Sequence, residues 1–309
     1  MKVMPGRRHF PPGAVSPATG GKPDAGAPVK RIMSNVPGIT LSGGVEIPQL
    51  GFGVFLVPPG ETEASVSTAL ETGYRHIDTA RIYENEGEVG AAIARSGVAR
   101  GDLFVATKLW NSDQGRDSAL KAFDASLDRL GLDFVDLYLI HWPAPGADRY
   151  VDSWRALQEI RASGRARAVG VSNFGVPHLQ RLHDETGVTP AINQIELHPN
   201  LPQAELRAFH AEHGIVTEAW SPLARGALLE DPAVAKLAAK HGKTPAQVIL
   251  RWHLQLGNVV IPKSVTPSRI AENFDVFGFE LDADDLDVID TLDNGGRIGP
   301  DPDTMNAGV

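Results

Sequence analysis

The chain has 309 residues, of which 42% are hydrophobic and 22% are charged, a composition typical of a globular protein with a sizeable core. Its net charge of −9 argues against nucleic acid or an anionic membrane as the main partner. The absence of cysteine excludes disulfides, Cys-zinc sites, iron–sulfur clusters and thiol nucleophiles. No apolar run approaches the roughly 20 residues that span a bilayer, so we expect a cytoplasmic protein.

Residues 1–35 differ in composition from the rest of the chain. Residues 1–31 contain 6 Pro, 5 Gly and six basic residues against one acidic residue. Such a segment cannot bury enough apolar surface to offset its ordering entropy, so we expect residues 1–35 to form a disordered tail. They lack the apolar stretch of a secretory signal. Met33 lies where the composition changes and is a candidate translation start.

From residue 36 onwards, short apolar runs alternate with helix-like patterns. Each run is nearly continuous, as in strands that are buried on both faces. The predicted strands are 50–55, 76–79, 103–108, 135–141, 168–172, 192–198, 215–221 and 259–264. The predicted helices are 61–73, 86–97, 115–131, 150–163, 176–186, 203–213, 232–257 and 267–275.

This alternation predicts an α/β fold, a (β/α)8 TIM barrel over residues 36–300. The competing arrangement is a doubly wound sheet, which normally carries a GxGxxG motif after its first strand. Gly51-Phe52-Gly53 has the first two glycines of that motif, but Leu56 stands where the third belongs. The barrel is therefore favoured.

Three further elements are predicted around the barrel. An N-terminal β-hairpin is expected over 39–47, where Gly43-Gly44 supplies the turn. The segment 232–257 is too long for one helix, and its break at 241–245 divides it in two. With a final helix over 282–291, this gives the barrel two extra helices, followed by a C-terminal tail at 301–309.

Polar side chains follow the strands at the end where barrel enzymes carry out their chemistry. Asp78 ends the second strand, Lys108 the third and His141 the fourth, and Tyr83 lies just beyond Asp78. Neighbouring strands would bury Asp78 and Lys108 together, and a buried ion pair is a poor route to stability. Lys108 would lower the pKa of the Tyr83 phenol from about 10. Tyr83 could then act as a general acid toward a carbonyl oxygen that His141 also contacts.

These residues lie in sequence blocks that resemble the aldo-keto reductase family. The blocks cover nearly all of 36–300 in the family's order: residues 73–80, Tyr83, Thr107-Lys108, His141-Trp142-Pro143, 170–173, Asn193-Gln194 and 261–264. Within the family, the chain is most similar to the bacterial 2,5-diketo-D-gluconate reductases. That similarity lies in residues 53–55, 108–111, 244–247 and 250–255.

The resemblance implies an NADP-dependent oxidoreductase that reduces a small carbonyl compound, such as an aldehyde, a ketone or a diketo sugar acid, with NADPH. It implies no metal and a monomer. Tyr83 is the implied proton donor, Lys108 and Asp78 the pair that tunes it, and His141 the group that orients the carbonyl. The implied substrate cleft is lined by Phe55, Trp110, His141 and Trp142.

The resemblance also assigns cofactor-binding residues. Those implied at the nicotinamide and pyrophosphate are Gly53, Ser172, Asn173, Gln194, Trp220, Ser221 and Leu223. Those implied at the 2′-phosphate and adenine are Lys263, Ser264, Val265, Arg269, Glu272 and Asn273. A lysine, a hydroxyl and an arginine at a helix N-terminus suit a phosphate group. Some relatives carry a further Arg or Asn at the position of Thr266, so the preference for NADPH over NADH stays open.

Two other functions are compatible with a barrel of this kind. The first is a regulatory subunit that binds NADPH without turnover; loss of any of the four catalytic groups would favour it, and all four are present. The second is an isomerase or hydrolase that uses His141 and a carboxylate as acid and base. That function predicts no binding of a nicotinamide cofactor.

Overall fold

A computed structural model describes residues 36–309, so the predicted disordered tail at 1–35 lies outside the described residues. The described chain begins with an antiparallel hairpin of β1 (Gly38–Thr40) and β2 (Glu46–Pro48). Gly43 and Gly44 form its turn with positive φ angles of 97° and 80°, which glycine adopts without steric cost. The predicted hairpin is therefore confirmed.

Eight parallel strands follow in one sheet, in chain order around the sheet. They are β3 (Phe52–Gly53), β4 (His76–Asp78), β5 (Phe104–Leu109), β6 (Val135–Ile140), β7 (Ala166–Ser172), β8 (Ile192–Glu196), β9 (Val216–Trp220) and β10 (Val259–Val260). A parallel bridge from Leu50 to Val260 joins the first strand region to the last. This bridge closes the sheet into the predicted barrel.

Ten helices surround and extend the barrel in the described chain. They are α1 (Pro59–Thr72), α2 (Glu86–Arg95), α3 (Arg116–Leu130), α4 (Tyr150–Ala162), α5 (Val176–Thr186), α6 (Ala204–Glu212), α7 (Pro232–His241), α8 (Pro245–Gln255), α9 (Pro267–Phe274) and α10 (Ala283–Asp290). Eight of them follow barrel strands, and α7 and α10 are the two extra helices. Thr244 caps α8 in a capping box with Gln247, which explains the predicted break before Pro245.

The first and last barrel strands are shorter than the predicted runs 50–55 and 259–264. The regular ladder of β10 ends at Val260, and Pro262 has no N–H to donate. The carbonyl of Pro262 still accepts from the Gly53 N–H at 3.2 Å, so the chains stay paired without forming longer strands. The apolar run is longer than the strand, because the chain after Val260 continues as a buried extended loop.

The C-terminal segment 301–309 lies against loops at the carboxyl end of the barrel. Asn111 Nδ2 donates to the Ala307 carbonyl at 2.9 Å, and the Gly146 N–H donates to Asn306 Oδ1 at 2.7 Å. The end of the described chain therefore contacts the loops that follow β5 and β6. In residues 36–309, no helix is long and apolar enough to cross a membrane.

Candidate active site

A buried ion pair lies at the carboxyl ends of two neighbouring strands. Lys108 Nζ of β5 donates to both carboxylate oxygens of Asp78 at the end of β4, at 2.6 and 2.8 Å. A third bond runs from Lys108 to the Thr79 carbonyl at 2.9 Å. The Lys108 and Asp78 side chains are 0% and 3% exposed, so the ion pair is shielded from water. The predicted pairing is confirmed, and it fixes the lysine rigidly.

Tyr83 lies above this pair on the short turn Arg81–Tyr83 that follows β4. The Lys108 ammonium is 5.2 Å from the centre of the Tyr83 ring. Burial raises the pKa of Tyr83 to about 12, while Lys108 opposes that increase. Lys108 lowers the pKa of the phenol, as predicted, but desolvation outweighs the attraction of one ammonium, so the net pKa lies above 10 and not below it. The phenol is protonated throughout the physiological range and is a hydrogen-bond donor there.

His141 follows β6 and faces the same region. Its ring centre is 5.7 Å from that of Tyr83 and 5.2 Å from that of Trp110. Burial, with a smaller contribution from Lys108, holds the pKa of His141 well below 6.5, so the imidazole is neutral. Its Nδ1 has no hydrogen-bond partner among residues 36–309. Phenol, imidazole and ammonium thus come together from three adjacent strands, as predicted.

The residues predicted at the nicotinamide form one hydrogen-bonded group. Ser172 Oγ donates to the main-chain oxygen of Gln194 at 2.8 Å, and Trp220 Nε1 donates to Asn173 Oδ1 at 2.8 Å. Asn173 Nδ2 donates to the His141 carbonyl at 2.9 Å, which ties this group to the imidazole. A Cβ at Gly299 would lie 2.5 Å from the Trp220 ring, so a glycine is required at this position for the chain to pack against the ring.

The residues predicted at the 2′-phosphate lie at the start of α9. Lys263 and Arg269 are exposed, and within the described chain neither forms an ion pair. Ser264 Oγ accepts from the Thr266 N–H at 3.1 Å and so orders the approach to the helix. The first N–H groups of a helix and two unpaired cations together attract a phosphate.

The remaining predicted cofactor residues surround these two groups. Val265 is exposed, Asn273 is buried in α9, and Glu272 accepts from Thr244 Oγ1 at 2.8 Å. Ser221 has a left-handed φ of 48° in the loop after β9 that also contains Leu223. Gly53 is buried, and a Cβ there would lie 3.1 Å from the Ile261 carbonyl oxygen.

These residues fit a dinucleotide. Gln194 offers a buried amide, Trp220 a half-exposed ring, and Lys263 with Arg269 two unpaired positive charges. In a chain of net charge −9, such a local positive cluster at a helix start suits an anionic cofactor. Among residues 36–309, no group of three or more His, Asp or Glu side chains is placed to hold a metal ion.

The residues predicted to line the substrate cleft differ in their exposure. Phe55 is 43% exposed, and its ring centre lies 5.0 Å from that of Tyr83. Trp110 is partly exposed beside His141, whereas Trp142 is 6% exposed. Phe55 and Trp110 therefore flank the phenol and the imidazole, whereas Trp142 is buried.

Three side chains at or near the site carried no role in the sequence analysis. Asn111 is buried and holds the Ala307 carbonyl of the C-terminal segment. Glu196 Oε2 accepts from the Gly299 N–H at 2.8 Å. Glu218 is buried beside Gln194. All three lie in or just after predicted strands, but their partners come from distant segments.

The fold and these groups define a barrel with a site that fits a dinucleotide. Comparison with known proteins agrees, since a family model described as "Aldo/keto reductase family" matches residues 50–294. An aldo-keto reductase of Mycolicibacterium smegmatis is 60% identical over 270 residues, covering 87% of this chain and 98% of that protein. The Yersinia pestis protein named methylglyoxal reductase DkgA is 53% identical over 277 residues, covering 89% and 99%.

Solved structures give the same result. The crystal structure of a Gox0644 mutant in complex with NADPH has a TM-score of 0.84 and 50% sequence identity, covering 87% of this chain and 98% of that one. The chain belongs to the aldo/keto reductase family. It is an NADP-dependent oxidoreductase that acts on carbonyl compounds, with NADPH and NADP⁺ as the two forms of its cofactor.

Proposed function

We propose that this protein reduces small α-dicarbonyl compounds and aldehydes, with methylglyoxal as the representative substrate, and that Tyr83 is the proton donor. Diketo sugar acids such as 2,5-diketo-D-gluconate belong to the same proposed range. The observation that carries the proposal is the contact of the Tyr83 ring with the Lys108–Asp78 pair beside a neutral His141. The name of the Yersinia pestis relative supports the choice of methylglyoxal.

The protein's own groups would orient and protonate the carbonyl. NADPH supplies the hydride when it is bound. The neutral imidazole of His141 and the phenol of Tyr83 would both donate to the carbonyl oxygen, which polarises the carbonyl. As negative charge develops on that oxygen, the Tyr83 proton moves onto it, and the Lys108 ammonium stabilises the phenolate left behind. Asp78 holds the ammonium in place during this step.

The cleft supports a small substrate. Phe55, Trp110 and Trp142 would provide apolar walls close to the two donors. Segment 301–309 would narrow the opening of the cleft, because the Ala307 carbonyl accepts a hydrogen bond from Asn111, the residue after Trp110. We therefore expect the cleft to favour a small dicarbonyl compound.

The proposed cofactor contacts follow the hydrogen-bonded groups described above. Ser172, Asn173 and Gln194 would hold the carboxamide, and Trp220 would stack on the ring. Gly53, Ser221 and Leu223 would line the path of the pyrophosphate. Lys263, Ser264 and Arg269 would bind the 2′-phosphate, with Val265, Glu272 and Asn273 near the adenine.

Replacing Tyr83 by Phe tests the proton donor. We expect kcat for methylglyoxal to fall by about 100-fold or more, because general acid catalysis is lost. The affinity for NADPH, measured by quenching of tryptophan fluorescence, should stay within about twofold, as expected when only a transition-state interaction is removed. Normal turnover in this variant would refute the assigned role.

The substrate range is tested by following NADPH absorbance with methylglyoxal, 2,5-diketo-D-gluconate and a simple aliphatic aldehyde. We expect the highest kcat/KM for methylglyoxal. No NADPH oxidation with any of the three, together with tight NADPH binding, would favour the regulatory subunit instead.

Three further expectations are also proposals. The protein is cytoplasmic and monomeric, and its catalytic domain spans residues 36–300 with a separate tail before it. Size-exclusion chromatography with light scattering tests the monomer, and a fluorescent fusion tests the location. Limited proteolysis that spares residues 36–300 would support the domain boundary.

A further inference from the structure

Glu218 is a buried carboxyl next to the active site that the proposed mechanism does not use. It lies in the middle of β9, is 0% exposed, and pairs in register with Gln194 on β8. Gln194 Nε2 donates to Glu218 Oε2 at 2.9 Å. Burying a carboxyl costs free energy unless it is paired or hydrogen-bonded. Its hydrogen bond to Gln194, a proposed cofactor-binding residue, therefore points to a function for Glu218.

The same amide nitrogen of Gln194 also donates to Asp78 Oδ2 at 2.9 Å. Asp78 accepts two bonds from the Lys108 ammonium, so its oxygens act only as acceptors. The Gln194 atom between Asp78 and Glu218 must therefore be the nitrogen. Both of its hydrogens are committed, and the carbonyl oxygen Oε1 is the atom left to accept from a ligand.

His76 faces the other oxygen of the Glu218 carboxyl. Its Nε2 lies 3.6 Å from Glu218 Oε1, and both side chains are fully buried. Burial, assisted by Asp78, raises the pKa of Glu218 to about 8, and burial lowers the pKa of His76 to about 4. The oxygen that faces Gln194, Oε2, accepts from the amide N–H, and Oε1 forms no hydrogen bond within the described residues.

We propose that Glu218 is a positioning residue that locks the amide plane of Gln194, so that Gln194 Oε1 accepts from the N–H of the nicotinamide carboxamide. This inference rests on the proposed role of Gln194 in holding the carboxamide. A hydrogen bond to Asp78 alone would leave the Gln194 amide free to rotate about that bond. The second hydrogen bond, to Glu218, prevents this rotation and fixes the direction of Gln194 Oε1.

The test uses two cofactors that differ only in the group concerned. The 3-acetylpyridine analogue of NADP⁺ has a methyl in place of the carboxamide NH₂, so it cannot donate to Gln194 Oε1. Calorimetry gives the Kd of each cofactor, and the discrimination ratio is the Kd of the analogue divided by the Kd of NADP⁺. A loss of folding stability alone does not change this ratio. We expect the wild type to prefer NADP⁺ by about tenfold, the typical contribution of one hydrogen bond.

Three variants of Glu218 separate positioning from packing. In Glu218→Met, which removes the acceptor, and in Glu218→Asp, which withdraws it by one carbon, we expect the ratio to fall to about two. Glu218→Gln keeps an acceptor oxygen and should keep the wild-type ratio. Asp136→Asn alters a buried carboxyl near the start of β6 that bonds Arg100 and Arg167, and serves as the control with an unchanged ratio.

A folded Glu218→Met or Glu218→Asp protein with the wild-type ratio would overturn the inference. A wild-type ratio near one, in a protein that still reduces methylglyoxal with NADPH, would also overturn it while leaving carbonyl reduction intact. Failure of the wild type to bind NADP⁺ at all would instead contradict the proposed function.

Discussion

At the scale of single residues, the site depends on charges that are taken out of water. The buried Lys108–Asp78 pair costs desolvation energy that an apolar pair of similar volume would not. The sequence analysis could predict the pair, because both residues end neighbouring strands. It could not predict the net pKa of Tyr83, because the desolvation of the phenol depends on how loops from distant segments cover it. Glu218 carried no predicted role for a similar reason, since its neighbours His76 on β4 and Gln194 on β8 come from other strands.

The 2′-phosphate site gives a prediction at this scale. Replacing both Lys263 and Arg269 by Ala should weaken NADPH binding by about 100-fold, because two charge-assisted hydrogen bonds are lost. NADH lacks the 2′-phosphate, so its affinity should change by less than about threefold. Fluorescence titration of both cofactors measures the difference. Equal losses for NADPH and NADH would mean that the 2′-phosphate binds elsewhere.

At the scale of elements, periodicity and capping residues predicted the helices well. Thr244-Pro245 and Thr266-Pro267 mark the starts of α8 and α9, as the sequence indicates. The ends of β3 and β10 were predicted less well, because a buried extended loop has the same apolar pattern as a buried strand. The close contact between α2 and α3 was not visible either, since nothing in the local sequence shows which helices touch.

The contact between α2 and α3 predicts that alanine substitutions at two glycines of α2 differ sharply in their effect on stability. A Cβ at Gly90 would collide with the Leu130 carbonyl oxygen at the end of α3. Gly90→Ala should therefore lower the free energy of unfolding by about 1–3 kcal/mol. Gly87→Ala, whose Cβ would have only an ordinary contact at 3.9 Å, should leave it unchanged or raise it by about 0.5 kcal/mol. Urea unfolding of both variants checks this, and equal stabilities would show that the helices move apart freely.

At the scale of the whole molecule, the fold brings the C-terminal segment to the mouth of the barrel. The sequence analysis predicted only a tail at 301–309, because its contacts with Asn111, Gly146 and Trp110 join distant parts of the chain. The barrel itself was predictable, since eight alternating units allow few other closed arrangements.

The contact of segment 301–309 with the loops after β5 and β6 predicts that truncation of this segment changes the binding of the substrate but not that of the cofactor. Removing residues 305–309 should raise KM for methylglyoxal by about threefold to tenfold, because the small substrate loses one wall of its cleft. The Kd for NADPH should stay within about twofold, since the contacts of these residues lie in the loops after β5 and β6. Asn306→Ala, which removes only the side-chain hydrogen bonds to Gly146 and to the Thr304 carbonyl, is the milder control. A loss of NADPH affinity equal to the change in KM would contradict this division.

The bridge between Leu50 and Val260 has a consequence for the protein during its synthesis. The two edges of the sheet cannot meet until the last strand has left the ribosome, so the nascent chain carries open, unpaired edges for most of translation. Contacts so far apart in sequence also slow folding. A newly made chain should therefore spend its aggregation-prone period before β10 emerges, when co-translational chaperones would protect it most.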